Sequence, residues 1–152
     1  MPTVAASRTI AASPQEVWEV VGDPHHLPRW WPRVQRVEGV EDRRFTEVLA
    51  GKQGKVVRAD FALVDSAPER RLLWAQQLEG TPFARMLRGA ETEIGLAGRA
   101  DGAEAVTEVT IELRQELRGI FPRLGARLVK RAAAATLEEA LDGLAHVFGD
   151  GG

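Results

Sequence analysis

Residues Ser7–Val34 read SRTIAASPQEVWEVVGDPHHLPRWWPRV, and two of the chain's four tryptophans stand side by side between Pro28 and Pro32. Ser13 and Glu16 form an S-x-x-E capping box, and Pro14 suits a first helical turn, where no amide hydrogen is needed. Val17, Trp18 and Val21 share one face, and Gly22 is a natural stop. Asp23 and Pro24 restart a second short helix that Pro28 is expected to limit, so the pair forms a corner at Gly-Asp-Pro. Upstream, TVAASRTIAA has β-branched residues and no helical stripe, which predicts a strand from about Thr3 to Ala11.

Downstream of Pro32 the pattern becomes one of strands: RVQRVEGVED, RFTEVLAG, KVVRADFALVD, RLLWAQQLEG, ETEIGLAG and AVTEVTIELRQEL, each bounded by turn signals. Val57, Ala59, Phe61 and Leu63 alternate with Arg58 and Asp60, and Val109, Ile111, Leu113 and Leu117 alternate with polar residues. Such alternation predicts antiparallel strands with one wet and one dry face. Asp101-Gly102 signals a tight hairpin between the last two. A long helix follows, from about Arg123 to Phe148, with Ala126, Val129, Ala133, Leu137, Leu141, Leu144 and Phe148 in one stripe. The stripe is small in its first half and large in its second, which fits either a hollow beneath the N-terminal half or close helix–sheet packing. A strongly bent antiparallel sheet curled around this helix, with the helix pair plugging one end, accommodates the whole order.

At 152 residues the chain fits one domain, read as residues 1–149 with 150–152 as a flexible tail. Apolar residues make up 44% and charged residues 28%, as in a globular protein. A net charge of −2 offers no overall basic footprint, so no nucleic-acid partner is expected. No cysteine is present, which excludes disulfides, thiolate metal sites and cysteine nucleophiles. No apolar run approaches the ~18 residues of a membrane span, and MPTVAASRTIAAS is too polar for a secretory signal. A cytoplasmic protein, monomeric or homodimeric, is the expectation.

The opening resembles that of the SRPBCC superfamily, which includes START domains, birch-pollen-allergen-like proteins and polyketide cyclase/dehydrase-like proteins. The matching residues are Ile10, Ala12, Ser13, Pro14, Glu16, Val17, Trp18, Asp23, Pro24, Leu27, Pro28, Trp30, Pro32 and Val34. LEGTPFARMLRGAETEI, Leu78–Ile94, is similar to the GTPF segment of bacterial members named polyketide cyclase or dehydrase. The resemblance implies an α+β helix-grip: about seven strands in the order β-α-α-β6-α, wrapped around the long C-terminal helix and enclosing a cavity. It also implies that the tryptophan pair lies at the cavity mouth. The family motif has its tryptophan at Trp30, which makes Trp30 the anchor and Trp31 the ligand candidate, unless Trp31 packs on the surface against an arginine stem.

Strand phase alone gives an inward set. Phe61 belongs to it, Gln76 is in phase with Leu72, Trp74 and Leu78, Gln115 with Ile111 and Leu113, and Thr92 with Ile94 and Leu96. An apolar and aromatic wall with a few neutral polar groups suits a small-molecule pocket. Each glutamine needs a partner, which could be the other glutamine, backbone, water or a ligand. Phe83 and Met86 are expected near the entrance, and Val129 and Ala133 on the helix side, completing the candidate ligand contacts.

Acid–base chemistry needs a titratable group in a dry concave place. Asp60, Glu112 and Glu116 fall on outward phases, and no tyrosine is present. Arg36, Glu38 and Glu47 have ambiguous phase, and an inward Glu47 beside Phe45 and Leu49 would be the best acid or base. His25, His26 and His146 have no metal-ligand spacing, and no nucleophile or nucleotide motif occurs, so no metal or cofactor is expected. The run Arg118, Arg123, Arg127, Lys130 and Arg131 reads foremost as a solvated face, though one that would suit an acidic ligand, a partner or peripheral contact with an anionic membrane. The leading reading is binding or transport of a hydrophobic or amphipathic small molecule of lipid, polyketide or isoprenoid class. The alternatives are a polyketide cyclase/dehydrase-type enzyme, which needs a titratable group in the cavity, and a protein-interaction module of the Hsp90-activator kind, which needs a filled core.

Overall fold

A computed structural model describes residues 3–102, 104–119 and 123–149. Seven strands form one antiparallel sheet: β1 (Thr3–Ile10), β2 (Val34–Glu41), β3 (Arg44–Ala50), β4 (Val56–Ala67), β5 (Arg71–Gln77), β6 (Leu87–Asp101) and β7 (Glu104–Leu117). Their spatial order, β1-β7-β6-β5-β4-β3-β2, is a meander from β2 to β7 with β1 closing on β7. Helix α1 (Pro14–Val21), a 3-10 turn (Pro24–His26) and α2 (Leu27–Trp30) fill the β1–β2 connection, and α3 (Arg123–Val147) ends the fold. This is the α+β helix-grip arrangement, and ETEIGLAG proves to be the middle of a strand that begins at Leu87.

The capping box forms as expected: Ser13 Oγ accepts from the Glu16 amide at 3.2 Å, and Glu16 accepts from the Ser13 amide at 3.1 Å. Gly22 ends α1 with a right-handed backbone, φ −78°. Asp23 caps the next turn, its carboxylate accepting from the His25 amide at 3.0 Å. Pro28 does not limit the second helix. It occupies the first turn of α2, where a missing amide hydrogen costs nothing, and the chain stays helical to Trp30, with the Trp31 amide donating to Leu27 O at 2.8 Å. The proline-rich segment therefore holds one turn of α-helix, and Trp31 beyond it has extended backbone, φ −82° and ψ 130°.

The core lies between the concave face of the sheet and α3. Leu137, Leu141 and Leu144 are at most 1% exposed, and each such burial is worth about 1.5–3 kcal/mol. They meet Ile10, Val17, Leu72, Val109 and Ile111 in one cluster. Trp30 is 3% exposed and joins that cluster, so α2 docks against α3. At the crossing, Gly143 lies under the Trp30 backbone: a Cβ there would sit 2.3 Å from Trp30 O. Closure at the other edge comes from β1, whose eight residues pair with β7 from Thr3–Arg114 to Ile10–Thr107. An Arg8–Asp142 ion pair ties β1 to α3.

The polar face of the sheet carries ion pairs. Glu93 on β6 accepts from Arg71 on β5 at 3.2 Å and from Arg114 on β7 at 2.6 Å, and these guanidinium groups hold its carboxyl below the usual range.

Candidate functional site

Below the N-terminal half of α3 the core stops and a cavity of about 730 Å³ begins. The taper of the α3 stripe explains it. Val129 and Ala133 line the space, whereas the leucines that follow fill theirs. Ala132, Ala135, Thr136 and Glu139, beside the stripe, line it as well. The lining residues that are themselves exposed, Arg33, Met86, Ala132, Ala135 and Glu139, mark where the cavity reaches solvent.

The sheet supplies the opposite wall. Phe45 stacks on Phe61 at 5.2 Å and meets Trp74 edge-on at 4.6 Å, forming an aromatic floor. Pairing places Phe45, Phe61 and Gln76 in one row across β3, β4 and β5; β5 and β6 pair as far as Ala75–Glu91, one residue short of Gln76 and Ala90, and Ala90 pairs with Gln115 on β7. The small Ala90 separates the two amides, and both line the cavity. Thr92 lines it one step along, paired with Leu113. Among the described residues no hydrogen bond is made by the side chains of Gln76, Thr92 or Gln115. The glutamines therefore do not satisfy each other, and three polar groups look into the hollow unpaired.

Glu47 completes this wall. Alternation on β3 puts Phe45, Glu47 and Leu49 on the cavity side, and Glu47 is 6% exposed. It has no hydrogen-bond or ion-pair partner among the described residues. Burial alone pushes its carboxyl up from 4.5 to about 8, because an apolar surrounding penalises the charged form. At neutral pH it is mostly a neutral acid and a hydrogen-bond donor. Arg36 and Glu38, the other two residues of ambiguous phase, pair with one another at 2.9 Å, and Glu38 also meets Arg58. Neither lines the cavity.

The tryptophans divide as expected, though across a helix end. Their rings meet edge to face at 5.4 Å, with Trp30 in the core and Trp31 half-buried on the cavity wall. Across the opening, Phe83 comes from a 3-10 turn, Pro82–Arg85, and Met86 caps that turn; both line the cavity. Each of the residues expected at a ligand thus borders one space. Sequence reasoning missed Arg33 and the flank of α3. Arg33 is turned by a left-handed backbone, φ 67°, that nothing in Pro-Arg-Val announces. Glu139 was legible, since it follows Ala132 and Thr136 at helical spacings of four and three. Among the described residues no cluster of His, Asp or Glu could hold a metal ion, and no helix is long and apolar enough to cross a membrane.

No curated protein matches this chain. Among solved structures, a START superfamily protein from Mycobacterium smegmatis superposes with a TM-score of 0.76 at 17% identity, covering 97% of each chain. XoxI from Bacillus cereus gives 0.73 at 19%, covering 99% of this chain and 97% of that one. The di-domain ARO/CYC protein BexL of the BE-7585A biosynthetic pathway gives 0.76 at 19%, covering 96% of this chain and 46% of that one. At these identities the likeness is one of fold. The family described as Polyketide cyclase / dehydrase and lipid transport matches residues 1–149, and this chain, with its hollow helix-grip, belongs to it.

Proposed function

We propose that this protein binds a hydrophobic or amphipathic small molecule, of lipid, polyketide or isoprenoid class, within the cavity. The observation that carries this reading is a hollow of about 730 Å³, a size typical of small-molecule sites, walled by aromatic and aliphatic groups and holding unpaired polar ones. Burial of apolar ligand surface supplies affinity at about 25 cal/mol per Å². Orientation comes from Gln76, Gln115, Thr92 and Glu47, which can together meet carbonyl or hydroxyl groups. A filled core, which the interaction-module reading needs, is at odds with this hollow.

One observation favours an enzyme of cyclase or dehydrase type as a second reading. Glu47 is a titratable group inside the cavity, with its carboxyl at about 8, a range suited to proton transfer near neutral pH. As a neutral acid it can donate to a ligand carbonyl, while the walls hold a flexible chain folded, an effect of proximity.

Native mass spectrometry of the protein purified from its own source, followed by extraction, tests both. A stoichiometric apolar compound is expected, and Trp31→Ala should weaken its rebinding. A clean unliganded mass, together with no quenching of Trp31 by a panel of isoprenoids, fatty acids and polycyclic aromatics, would sink the reading. Given the compound, Glu47→Gln separates the two functions: an enzyme loses turnover and keeps binding, whereas a carrier shows no turnover in either form.

A further inference from the structure

Basic charge is unevenly placed in this chain. Of its 20 Arg and Lys, seven fall in residues 81–89 and 117–137, which hold no Asp or Glu, leaving 13 against all 22 acidic residues elsewhere. The fold gathers these two segments at one end. The Arg118 amide donates to Met86 O at 2.8 Å, Leu87 pairs with Leu117, and Met86 and Val129 line the same cavity. Arg85, Arg88, Arg118, Arg127, Lys130 and Arg131 are all exposed, and none meets a carboxylate among the described residues. Elsewhere on the sheet, arginines are paired, as Arg71 and Arg114 are with Glu93 and Arg58 is with Glu38.

Three large apolar side chains stand among these cations: Leu124 is 68% exposed, Leu128 56% and Met86 49%. Leu124 and Leu128 lie one turn apart on α3, and Arg127 and Arg131 flank them at the same spacing. Aliphatic tips set among unpaired cations are the arrangement of a surface that lies in a lipid interface. We propose that this rim docks the protein on an anionic bilayer, with Leu124, Leu128 and Met86 entering the acyl boundary and the surrounding cations against headgroup phosphates. A bilayer fits better than a protein partner, because the exposed apolar side chains among the described residues of the rim are the aliphatic Leu124, Leu128 and Met86 rather than aromatic anchors. It is also where an apolar cavity ligand resides. That second reason rests on the proposed function; the docking itself does not, and it is measured without ligand.

The test is co-sedimentation of the full chain with vesicles of phosphatidylglycerol and phosphatidylcholine, against phosphatidylcholine alone. Binding is expected only to the anionic vesicles, falling as salt screens the headgroups. The pair Arg127→Glu and Arg131→Glu should weaken it by more than about 25-fold, from roughly fivefold for each cation lost. The pair Leu124→Asp and Leu128→Asp should weaken it at an unchanged melting temperature, since both side chains already face water. Arg127→Lys with Arg131→Lys should bind as the parent does. No binding to anionic vesicles at low salt, equal binding to neutral ones, or indifference to both variant pairs would overturn the proposal. So would light scattering that shows a dimer which the Leu124→Asp and Leu128→Asp pair converts to monomer, or capture of an acidic protein by a rim that ignores vesicles. An extracted cavity ligand without vesicle binding would remove this inference and leave the cavity reading standing.

Discussion

Glu47 shows what one position on a pleated strand can do. Its neighbours two residues away, Phe45 and Leu49, belong to the cavity wall, so the pleat carries the carboxyl in with them. The facing was not legible because β3 is apolar on both phases: Val48, on the other face, is 0% exposed. A period of two cannot choose between F-T-E-V-L read one way and the other. Gln76 and Gln115 were legible because each follows two strongly apolar residues in its own phase. Since the folded-state value of Glu47, about 8, lies above the ordinary 4.5, the unfolded chain ionises first as pH rises. Wild-type stability should therefore fall across that window, by about 3 kcal/mol at neutral pH, with no penalty below it. Glu47→Gln keeps the shape and abolishes the titration. Denaturant unfolding should show the variant equal to wild type in acid and more stable at pH 8; parallel pH profiles would refute the burial argument. Other carboxylates, such as Glu93, titrate alike in both proteins and cancel in the difference.

At the scale of the element, α3 is one helix with two jobs. Leu137, Leu141 and Leu144 hold the core, and Val129 and Ala133 border empty space. Leu137→Ala should cost about 2–5 kcal/mol in denaturant unfolding. Ala133→Leu points into the hollow, so its stability should stay within about 0.5 kcal/mol of the parent, while affinity for an apolar dye such as anilinonaphthalene sulfonate drops about tenfold as volume is lost. If Ala133→Leu unfolds the protein instead, the space beneath α3 is packed. The taper of the stripe fitted a hollow and close packing alike, and a single line of residues gives no width; Ala135 lies off that line, while the flank of Ala132, Thr136 and Glu139 was legible only as a second line beside it. Where α3 crosses α2, Gly143→Ala sets a methyl against the Trp30 carbonyl. Backbone cannot step aside as a side chain can, so a loss of roughly 1–3 kcal/mol is expected in thermal or denaturant unfolding. The turn containing Pro28 was misread from composition alone, since proline breaks a helix interior and not its first turn.

The sheet is closed by its least local strand pairing. Five hairpins link β2 to β7 in sequence, whereas β1 must cross the full domain to pair with β7. Local patterning revealed the strands and the long helix but not this pairing, which no periodicity encodes. Ile10 is 0% exposed and Arg8 reaches Asp142, so β1 braces both the sheet and α3. Deleting residues 1–11 should abolish the cooperative melting transition seen by circular dichroism. A truncated chain that still melts cooperatively would show that β1 is an ornament on an already complete fold.

The two walls of the cavity are chemically unlike. The buried unpaired polar groups Glu47, Gln76, Thr92 and Gln115 sit on the sheet, whereas the middle of the helix wall is made of methyl groups, Ala132, Ala133 and Ala135, with Glu139 at its exposed edge. Under the proposed function, length and chemistry of the ligand are therefore written in separate places. Exchanging alanines on α3 for larger or smaller neighbours lengthens or shortens the compound accepted, leaving its polar recognition untouched, and exchanging Gln76 or Gln115 does the reverse. A lineage carrying this scaffold can change one trait of its ligand in a single step without first losing the other.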